Sequence, residues 1–273
     1  MAECNHDCSN CSLSGNCESE IKKAKLNDRS KIKKIIGVLS GKGGVGKSYI
    51  TSLLAVYLNR QGYKVGILDA DITGPSIPKA FGIKDKAYGE DNLIYPLVSN
   101  GGVKLISANC LLENDSDPIV WRGPLLGGLI KQFYEDVLWE ELDYLLIDMP
   151  PGTGDVALTI FQQLPVDDLI IVTSPQDLVS LIVTKAIKMA NMMNIKVLGV
   201  VENMSYLVCP DCGKQIKLFG ESHLEQFAKD MNFNILAKLP LVSENTALVD
   251  SGKVEQVVLN EILPVVEAIK KEK

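Results

Sequence analysis

Gly41-Lys42-Gly43-Gly44-Val45-Gly46-Lys47-Ser48 is the stretch that decides the fold of this 273-residue chain. It follows a short apolar run, residues 35–40, and precedes a helical pattern over residues 49–60. This strand–loop–helix order is the setting that a phosphate-binding loop requires. The glycines let backbone N–H groups converge on an anion, and the helix N-terminus adds positive potential. We expect Lys47 to reach the β- and γ-phosphates of a nucleotide and the Ser48 hydroxyl to bind Mg²⁺.

The composition is that of an ordinary globular protein. The chain is 46% apolar and 23% charged with a net charge of −6, so nothing indicates nucleic-acid binding. Strands that alternate with helical runs favour one α/β domain with a short appendage. No apolar run reaches about 18 residues, and the N-terminus has no apolar signal core. We therefore expect a soluble cytoplasmic protein that binds neither membranes nor nucleic acid.

Aspartates follow two further apolar runs and are candidate ligands of the nucleotide site. Residues 64–69 end in Asp69, with Asp71 two positions later, and residues 143–148 end in Asp148. The carboxyl ends of parallel strands lie beside the phosphate loop in such a fold. Four apolar residues that run into Asp148 are the Walker B pattern, which holds Mg²⁺. Asp69 is expected to support Mg²⁺ through water.

Two more positions are candidate nucleotide contacts. Glycines after Asp148, in Pro-Pro-Gly-Thr-Gly up to Asp155, predict a loop that moves when the γ-phosphate leaves, with the Gly152 N–H as its contact. Asn203 ends a predicted strand over residues 197–203, and its amide could read adenine N6 and N7. Beyond it, the pattern predicts a helix over residues 254–270 that is kinked by a proline.

Six of the seven cysteines fall into two groups, which is unlike a disulfide framework and favours metal or iron–sulfur ligation. Four stand in a distinct segment, residues 1–30: Cys4, Cys8, Cys11 and Cys17. They can close a tetrahedral site for Zn²⁺ or a [4Fe–4S] cluster, and His6 could replace one thiolate. Lysines and arginines over residues 21–34 predict a solvated helical tether to a second unit, residues 31–273.

The second group is Cys209 and Cys212, in Cys-Pro-Asp-Cys-Gly on a predicted exposed loop. Two thiolates cannot saturate a tetrahedral metal. The missing ligands could come from the N-terminal cysteines, from a second subunit, or from labile groups. A dimer with this pair near its two-fold axis would supply four sulfurs. A half zinc knuckle completed by Cys8 and Cys11, or a redox dithiol, would also fit.

Taken together, these motifs resemble the Mrp/ApbC-type P-loop proteins, the iron–sulfur cluster carrier branch of the MinD/ParA class. The resemblance covers roughly residues 32–260 and implies an α/β fold with a mostly parallel sheet, helices on both faces and a deviant Walker A (SIMIBI-type) loop. The cysteine-rich start resembles a subgroup with a second cluster there, although Cys4 stands closer to Cys8 than is usual. The resemblance rests on residues 41–48, Leu68-Asp69-Ala70-Asp71-Ile72 with Gly74-Pro75-Ser76, Trp121-Arg122-Gly123-Pro124, residues 148–155, Val201-Glu202-Asn203-Met204-Ser205, and Cys209-Pro210 with Cys212-Gly213.

The resemblance also implies roles for single residues. Lys42 would reach the nucleotide of the other subunit, and Asp71 would lie in the first switch and orient the attacking water; with Lys47 and Asp148 they form the expected catalytic set. The expected nucleotide contacts are Gly41, Lys42, Gly43, Gly44, Val45, Gly46, Lys47, Ser48, Tyr49, Gly152 and Asn203.

The activity implied is that of a homodimeric ATPase that binds ATP and Mg²⁺ and hydrolyses ATP slowly. It would hold a labile [4Fe–4S] cluster between two copies of Cys209 and Cys212 and pass it to apo-proteins. Three alternatives stay open: a ParA/MinD-like positioning ATPase, a nitrogenase-iron-protein-like electron donor, and an ATPase with structural zinc. The first needs a basic patch or membrane anchor that is not evident in the sequence. The second class places its cysteines nearer the second switch, whereas here none follows Asp148 until Cys209.

Overall fold

The structure, a computed structural model, describes residues 23–71, 76–111, 123–176 and 179–271. Within them the strands are β1 (Lys31–Ser40), β2 (Val65–Asp69), β3 (Tyr88–Glu90), β4 (Leu93–Tyr95), β5 (Leu97–Val98), β6 (Lys104–Ser107), β7 (Glu141–Asp148), β8 (Asp168–Thr173), β9 (Lys196–Val208), β10 (Gln215–Ile216) and β11 (Ile235–Pro240). The α-helices are α1 (Lys47–Arg60), α2 (Ile77–Ala80), α3 (Gly123–Glu135), α4 (Asp155–Gln163), α5 (Val179–Met192), α6 (Leu224–Met231), α7 (Ser243–Asp250) and α8 (Leu263–Lys270).

A nine-stranded sheet forms the centre of the molecule. Its strand order is β10-β9-β8-β1-β7-β2-β6-β5, and β11 also pairs with β9. All pairs are parallel except β5 with β6 and β10 with β9. Strands β2 and β8 are buried along their whole length. Strands buried on both faces need a cover of helices on each side, so the predicted α/β class is confirmed.

The carboxyl ends of the central strands meet at one edge of the sheet, and this register assembles the site. Asp148 at the end of β7 is level with Val38 of β1 on one side and with Asp69 of β2 on the other. Asp69 is in turn level with Ser107, the last residue of β6. Two carboxylates therefore stand on neighbouring strands beside the loop that follows β1.

The start of the described chain differs from the predicted helical tether. Residues 23–30 contain no helix and lie against the domain. The Ala24 N–H donates to the Gln163 carbonyl at 2.7 Å, and the Asn27 amide donates to the carbonyls of Glu135 and Val137 at 2.8 and 2.9 Å. These contacts are long-range, so the charge pattern could not reveal them. Cys4, Cys8, Cys11, Cys17 and His6 lie outside the described residues.

The C-terminal helix prediction is wrong in its extent. Residues 254–270 form two 3₁₀ turns, Val254–Gln256 and Asn260–Ile262, followed by the short helix α8. Pro264 lies in the first turn of α8, where it needs no hydrogen-bond partner, and it does not kink a longer helix. The apolar residues of this stretch complete the core: Val257, Leu259, Ile262, Val265, Val266 and Ile269. Among the described helices, none is both long and apolar enough to cross a membrane.

Candidate nucleotide site and cysteine hairpin

The phosphate loop has a backbone that only glycine allows at key positions. Gly46 adopts φ +82° immediately before α1, and a Cβ there would lie 2.3 Å from Nδ2 of Asn203. A Cβ on Gly41 would lie 1.7 Å from Cγ2 of Ile182 on α5. Such distances leave no room for a side chain. The glycine pattern that predicted an anion cradle is therefore also required by how the loop packs.

A cavity of about 320 Å³ opens beside this loop, within the size range of small-molecule sites. Glycines, hydroxyls and one cation line it, which suits a phosphate chain. The lining residues are Ser40, Gly43, Gly44, Gly46, Lys47, Ser48, Tyr49, Asp71, Ser76, Ala80, Pro151 and Val249. The structure thus brings Tyr49 and Asp71 to the same cavity as the phosphate loop.

Lys47 and Ser48 converge on the Walker B carboxylate. The Lys47 ammonium lies 2.8 Å from Oδ2 of Asp148 and 3.3 Å from Oδ2 of Asp71. The Ser48 hydroxyl donates to the same Asp148 oxygen at 2.6 Å. Lys47 and Asp148 are buried, with 6% and 0% of the side chain exposed. The predicted group of lysine, serine and aspartates therefore forms one connected charged cluster.

Asp69 has the features of a carboxylate that acts through water. It is buried, and its Oδ1 accepts the N–H of Asp71 at 3.1 Å. Within the described chain its Oδ2 has no hydrogen-bond partner. Burial, and then the charge of Asp148, raise the pKa of Asp69 well above its ordinary value. A buried carboxylate oxygen that lacks a donor, on the strand next to Asp148, fits a site that holds a hydrated Mg²⁺.

Sequence reasoning missed Thr51. This residue is fully buried on α1, and its hydroxyl donates to Oδ1 of Asp148 at 2.7 Å. It stands four positions after Lys47, so both side chains project from the same face of the helix. That spacing was a signal in the sequence, but nothing in the sequence indicated that β7 would bring Asp148 against this face.

Lys42 and Gly152 make contacts within the subunit that the sequence did not predict. The Lys42 ammonium donates to Oε1 of Gln176 in the loop after β8. The Gly152 N–H donates to the Ser40 carbonyl at 2.7 Å, with φ +87° at Gly152. Both donors are therefore engaged in this conformation. A phosphate contact of the Gly152 N–H requires exchange of the Ser40 carbonyl, whereas the Lys42 ammonium has further N–H donors beside the one that contacts Gln176.

Asn203 does not end its strand, because β9 continues to Val208. Its side chain is buried, and its Nδ2 donates to the Val45 carbonyl in the phosphate loop at 2.9 Å. The next residue, Met204, has φ +58°, which is unusual for a residue with a side chain. The amide predicted to read adenine thus holds the phosphate loop against β9 in this structure.

The cysteine pair lies at the tip of a β-hairpin formed by the end of β9 and by β10. The Cys209 N–H donates to the Lys214 carbonyl, and the Gly213 N–H donates to the Cys209 carbonyl, both at 2.9 Å. Both thiols are free, Cys209 half-buried and Cys212 exposed. Hydrogen bonds from the backbone N–H groups of Cys212 and Asp211 lower the pKa of the Cys209 thiol.

The hairpin alone does not provide a complete metal site. In the described part of the chain, no group of three or more His, Cys, Asp or Glu side chains is arranged to hold a metal ion. A tetrahedral metal or cluster iron bound here needs further ligands. The hairpin thus supplies two free thiols of an incomplete ligand set, and the lowered pKa of Cys209 favours the thiolate that binds metal.

Comparison with known proteins agrees with this site. A family model described as "ParA: NUBPL iron-transfer P-loop NTPase" matches residues 31–271. Proteins named iron-sulfur cluster carrier protein are 46% identical in Clostridium perfringens, over 92% of this chain and 91% of the relative, and 46% identical in Methanocaldococcus jannaschii, over 92% and 90%. A nucleotide-binding protein from Archaeoglobus fulgidus, solved with ADP, is 44% identical with a TM-score of 0.74, over 82% of this chain and 88% of that one.

P-loop NTPases as a class bind and hydrolyse nucleoside triphosphates, and the loop, the Walker B strand and the cavity of this chain have the arrangement that this chemistry uses. The match to the family model spans nearly all of the described domain. The chain therefore belongs to the ParA-type P-loop NTPase family of NUBPL-like iron-transfer proteins.

Proposed function

We propose that this protein is a cytoplasmic, ATP-hydrolysing carrier that holds a labile [4Fe–4S] cluster and transfers it to apo-proteins. The observation that carries the proposal is the Cys209/Cys212 hairpin on a P-loop domain: two free thiols, half-buried at Cys209 and exposed at Cys212, with a lowered pKa at Cys209. The names of the two carrier relatives support it. The cluster is the cargo of this reaction, so ligands that assemble and separate suit it.

A second copy of the chain is the proposed source of the missing ligands. Two hairpins that meet at a two-fold axis supply four thiolates, the number that a [4Fe–4S] cluster takes. Large apolar side chains around the hairpin are exposed in the single subunit: Val208, Ile216, Leu218 and Phe219. Exposed apolar side chains next to an incomplete set of metal ligands are candidate contacts for a partner subunit. A partner hairpin that binds there would shield both the cluster and these side chains.

ATP is the proposed nucleotide, and its hydrolysis needs only positioning and charge. Mg²⁺ would be held by Ser48 and Asp148, with Asp69 acting through water, and would neutralise phosphate charge. Lys47 would bind the phosphates, and Asp71, 3.3 Å from its ammonium, would orient the attacking water. Lys42 would exchange Gln176 for the nucleotide of the partner subunit.

The N-terminal cysteines are proposed to hold a second, retained cluster. Four ligands within one short segment can close a site without a partner. In the sequence they precede residues 23–30, which pack on the domain.

The test begins with air-free purification of the full-length protein, followed by iron, sulfide and zinc analysis and by sedimentation. We expect iron, cluster absorbance and a dimer. After reconstitution, Cys209→Ala/Cys212→Ala should lose the transferable cluster and fail to activate an apo-acceptor. Cys110→Ala, which removes a buried thiol elsewhere in the fold, is the matched control and should transfer normally.

Several outcomes would contradict the proposal. Transfer at the wild-type rate by the double variant would exclude the bridging pair, and zinc without iron would favour a structural metal. Co-sedimentation with liposomes or DNA in the presence of ATP would favour a positioning ATPase instead. Leu218→Asp tests the interface separately: it should weaken dimer formation while leaving nucleotide binding intact, because Leu218 is exposed and is absent from the cavity lining.

A further inference from the structure

We infer that Thr51 is a positioning residue of the Mg²⁺–nucleotide site. Its hydroxyl holds the carboxylate of Asp148, the Walker B residue, in the orientation that points Oδ2 toward the metal. The inference rests on the proposed ATPase function and adds a residue to it. The phosphate-loop motif ends at Ser48, and Thr51 lies one helical turn further along α1.

The two carboxylate oxygens of Asp148 have different hydrogen-bond partners. Oδ2 accepts from the Lys47 ammonium at 2.8 Å and from the Ser48 hydroxyl at 2.6 Å, so it faces the phosphate loop. Oδ1 receives the Thr51 hydroxyl at 2.7 Å. Since Ser48 is the residue that binds Mg²⁺ in this motif, Oδ2 is the metal-facing oxygen. Thr51 holds the opposite one.

The Thr51 hydroxyl has one proton and two acceptors within reach. The carbonyl of Lys47, one turn earlier, is 3.1 Å away, and Asp148 Oδ1 is 2.7 Å away. The shorter contact to an ionised acceptor is the stronger one. The proton therefore goes to Asp148, and the helix carbonyl is a secondary neighbour.

Complete burial makes this contact consequential. Thr51 and Asp148 are both fully buried, with 0% of their surface exposed. Water therefore cannot replace a lost donor to Oδ1 of Asp148. Asp69 stands level with Asp148 on the next strand and is a second buried carboxyl group in the site. Without the hydroxyl, a buried carboxylate oxygen is left unsatisfied, and the carboxylate can rotate away from the metal. Removal of residues that orient metal ligands weakens metal affinity by about 10–100-fold.

The chain offers a matched control in the adjacent residue. Ser52 is also buried on α1, but its hydroxyl donates to the Ser48 carbonyl at 2.8 Å and does not touch Asp148. Thr51→Val preserves shape and removes the hydroxyl. Thr51→Ser keeps the hydroxyl, and Ser52→Ala removes a neighbouring hydroxyl that has no part in the inference.

The experiment measures ADP affinity by calorimetry, with full-length protein, as Mg²⁺ is titrated and again in EDTA. Mg²⁺ should strengthen ADP binding, and we expect Thr51→Val to raise the Mg²⁺ concentration that gives half of this gain in ADP affinity by about tenfold or more. The ADP affinity in EDTA should be unchanged. Thr51→Ser and Ser52→Ala should match the wild type. Thr51→Ala serves as a second hydroxyl-free variant, so that misfolding of one variant still leaves a measurement.

Two results would overturn the inference alone: an unchanged Mg²⁺ requirement in folded Thr51→Val or Thr51→Ala, or a Thr51→Ser defect as large as that of Thr51→Val. A wild-type protein whose nucleotide binding does not respond to Mg²⁺ would overturn the proposed ATPase together with it. The wild-type titration therefore separates the two failures.

Discussion

Lys47 is expected to stabilise the fold as well as to bind phosphate. In metal-free protein its ammonium is 2.8 Å from Asp148, whose side chain is fully buried. Lys47→Ala leaves that carboxylate with hydroxyl donors only, from Ser48 and Thr51. We therefore predict that Lys47→Ala destabilises the domain even in the absence of nucleotide.

The size of the loss follows from the burial of the ion pair. Removal of one partner of a buried pair leaves an uncompensated charge, which typically costs about 3–5 kcal/mol. The hydroxyls of Ser48 and Thr51 still donate to Asp148 in the variant. We therefore expect a loss near the lower end of this range, about 3 kcal/mol at pH 7.

The assay is urea unfolding in EDTA at pH 7, with Lys42→Ala as the control. Lys42 contacts Gln176 at the protein surface, so its loss should change the unfolding free energy by less than about 0.5 kcal/mol. A Lys47→Ala protein as stable as the wild type would refute the reasoning.

Three further predictions follow from the same geometry. Alkylation of apo-protein should reach half its maximal rate at Cys209 at a pH below the ordinary thiol value, since hydrogen bonds lower its pKa; peptide mass spectrometry after iodoacetamide treatment measures this, and a midpoint at or above the ordinary value contradicts it. Gly46→Ala should lose about 1–3 kcal/mol of unfolding free energy because φ is +82° and the Asn203 amide occupies the Cβ position. Gly43→Ala, with nothing within 4 Å of a Cβ, is its control, and equal losses would argue against the packing explanation. Asp71→Ala should retain nucleotide binding but stall hydrolysis, and turnover equal to the wild type would place water orientation elsewhere.

The phosphate-binding half of the site was predictable because its chemistry fixes residue type and spacing together. Glycines, Lys47 and Ser48 occupy fixed positions, and the apolar run before Asp148 marks a buried parallel strand whose end lies beside the loop. The structure places these residues together in one cavity and one charged cluster. The helices and strands near them begin and end close to the predicted positions.

Features set by distant partners were not predictable. Thr51 acquires its role only because β7 runs beside α1, and Asn203 contacts Val45 across 158 positions of sequence. Apolar residues on several sides of residues 254–270 suggested one helix, yet 3₁₀ turns satisfy the same burial because packing against the core decides the backbone there. The lysines before β1 suggested a solvated tether, but residues 23–30 form backbone hydrogen bonds with the domain.

Strand β9 contacts the phosphate loop through Asn203, and the chain reaches Cys209 six residues later. Glu202, the neighbour of Asn203, accepts the hydroxyls of Ser205 and of Ser222 beyond the hairpin. Both arms of the cysteine hairpin are therefore tied to one point of the strand. Six residues of backbone separate the side chain that holds the nucleotide loop from the one that presents sulfur, so the two sites share a single covalent and hydrogen-bonded connection.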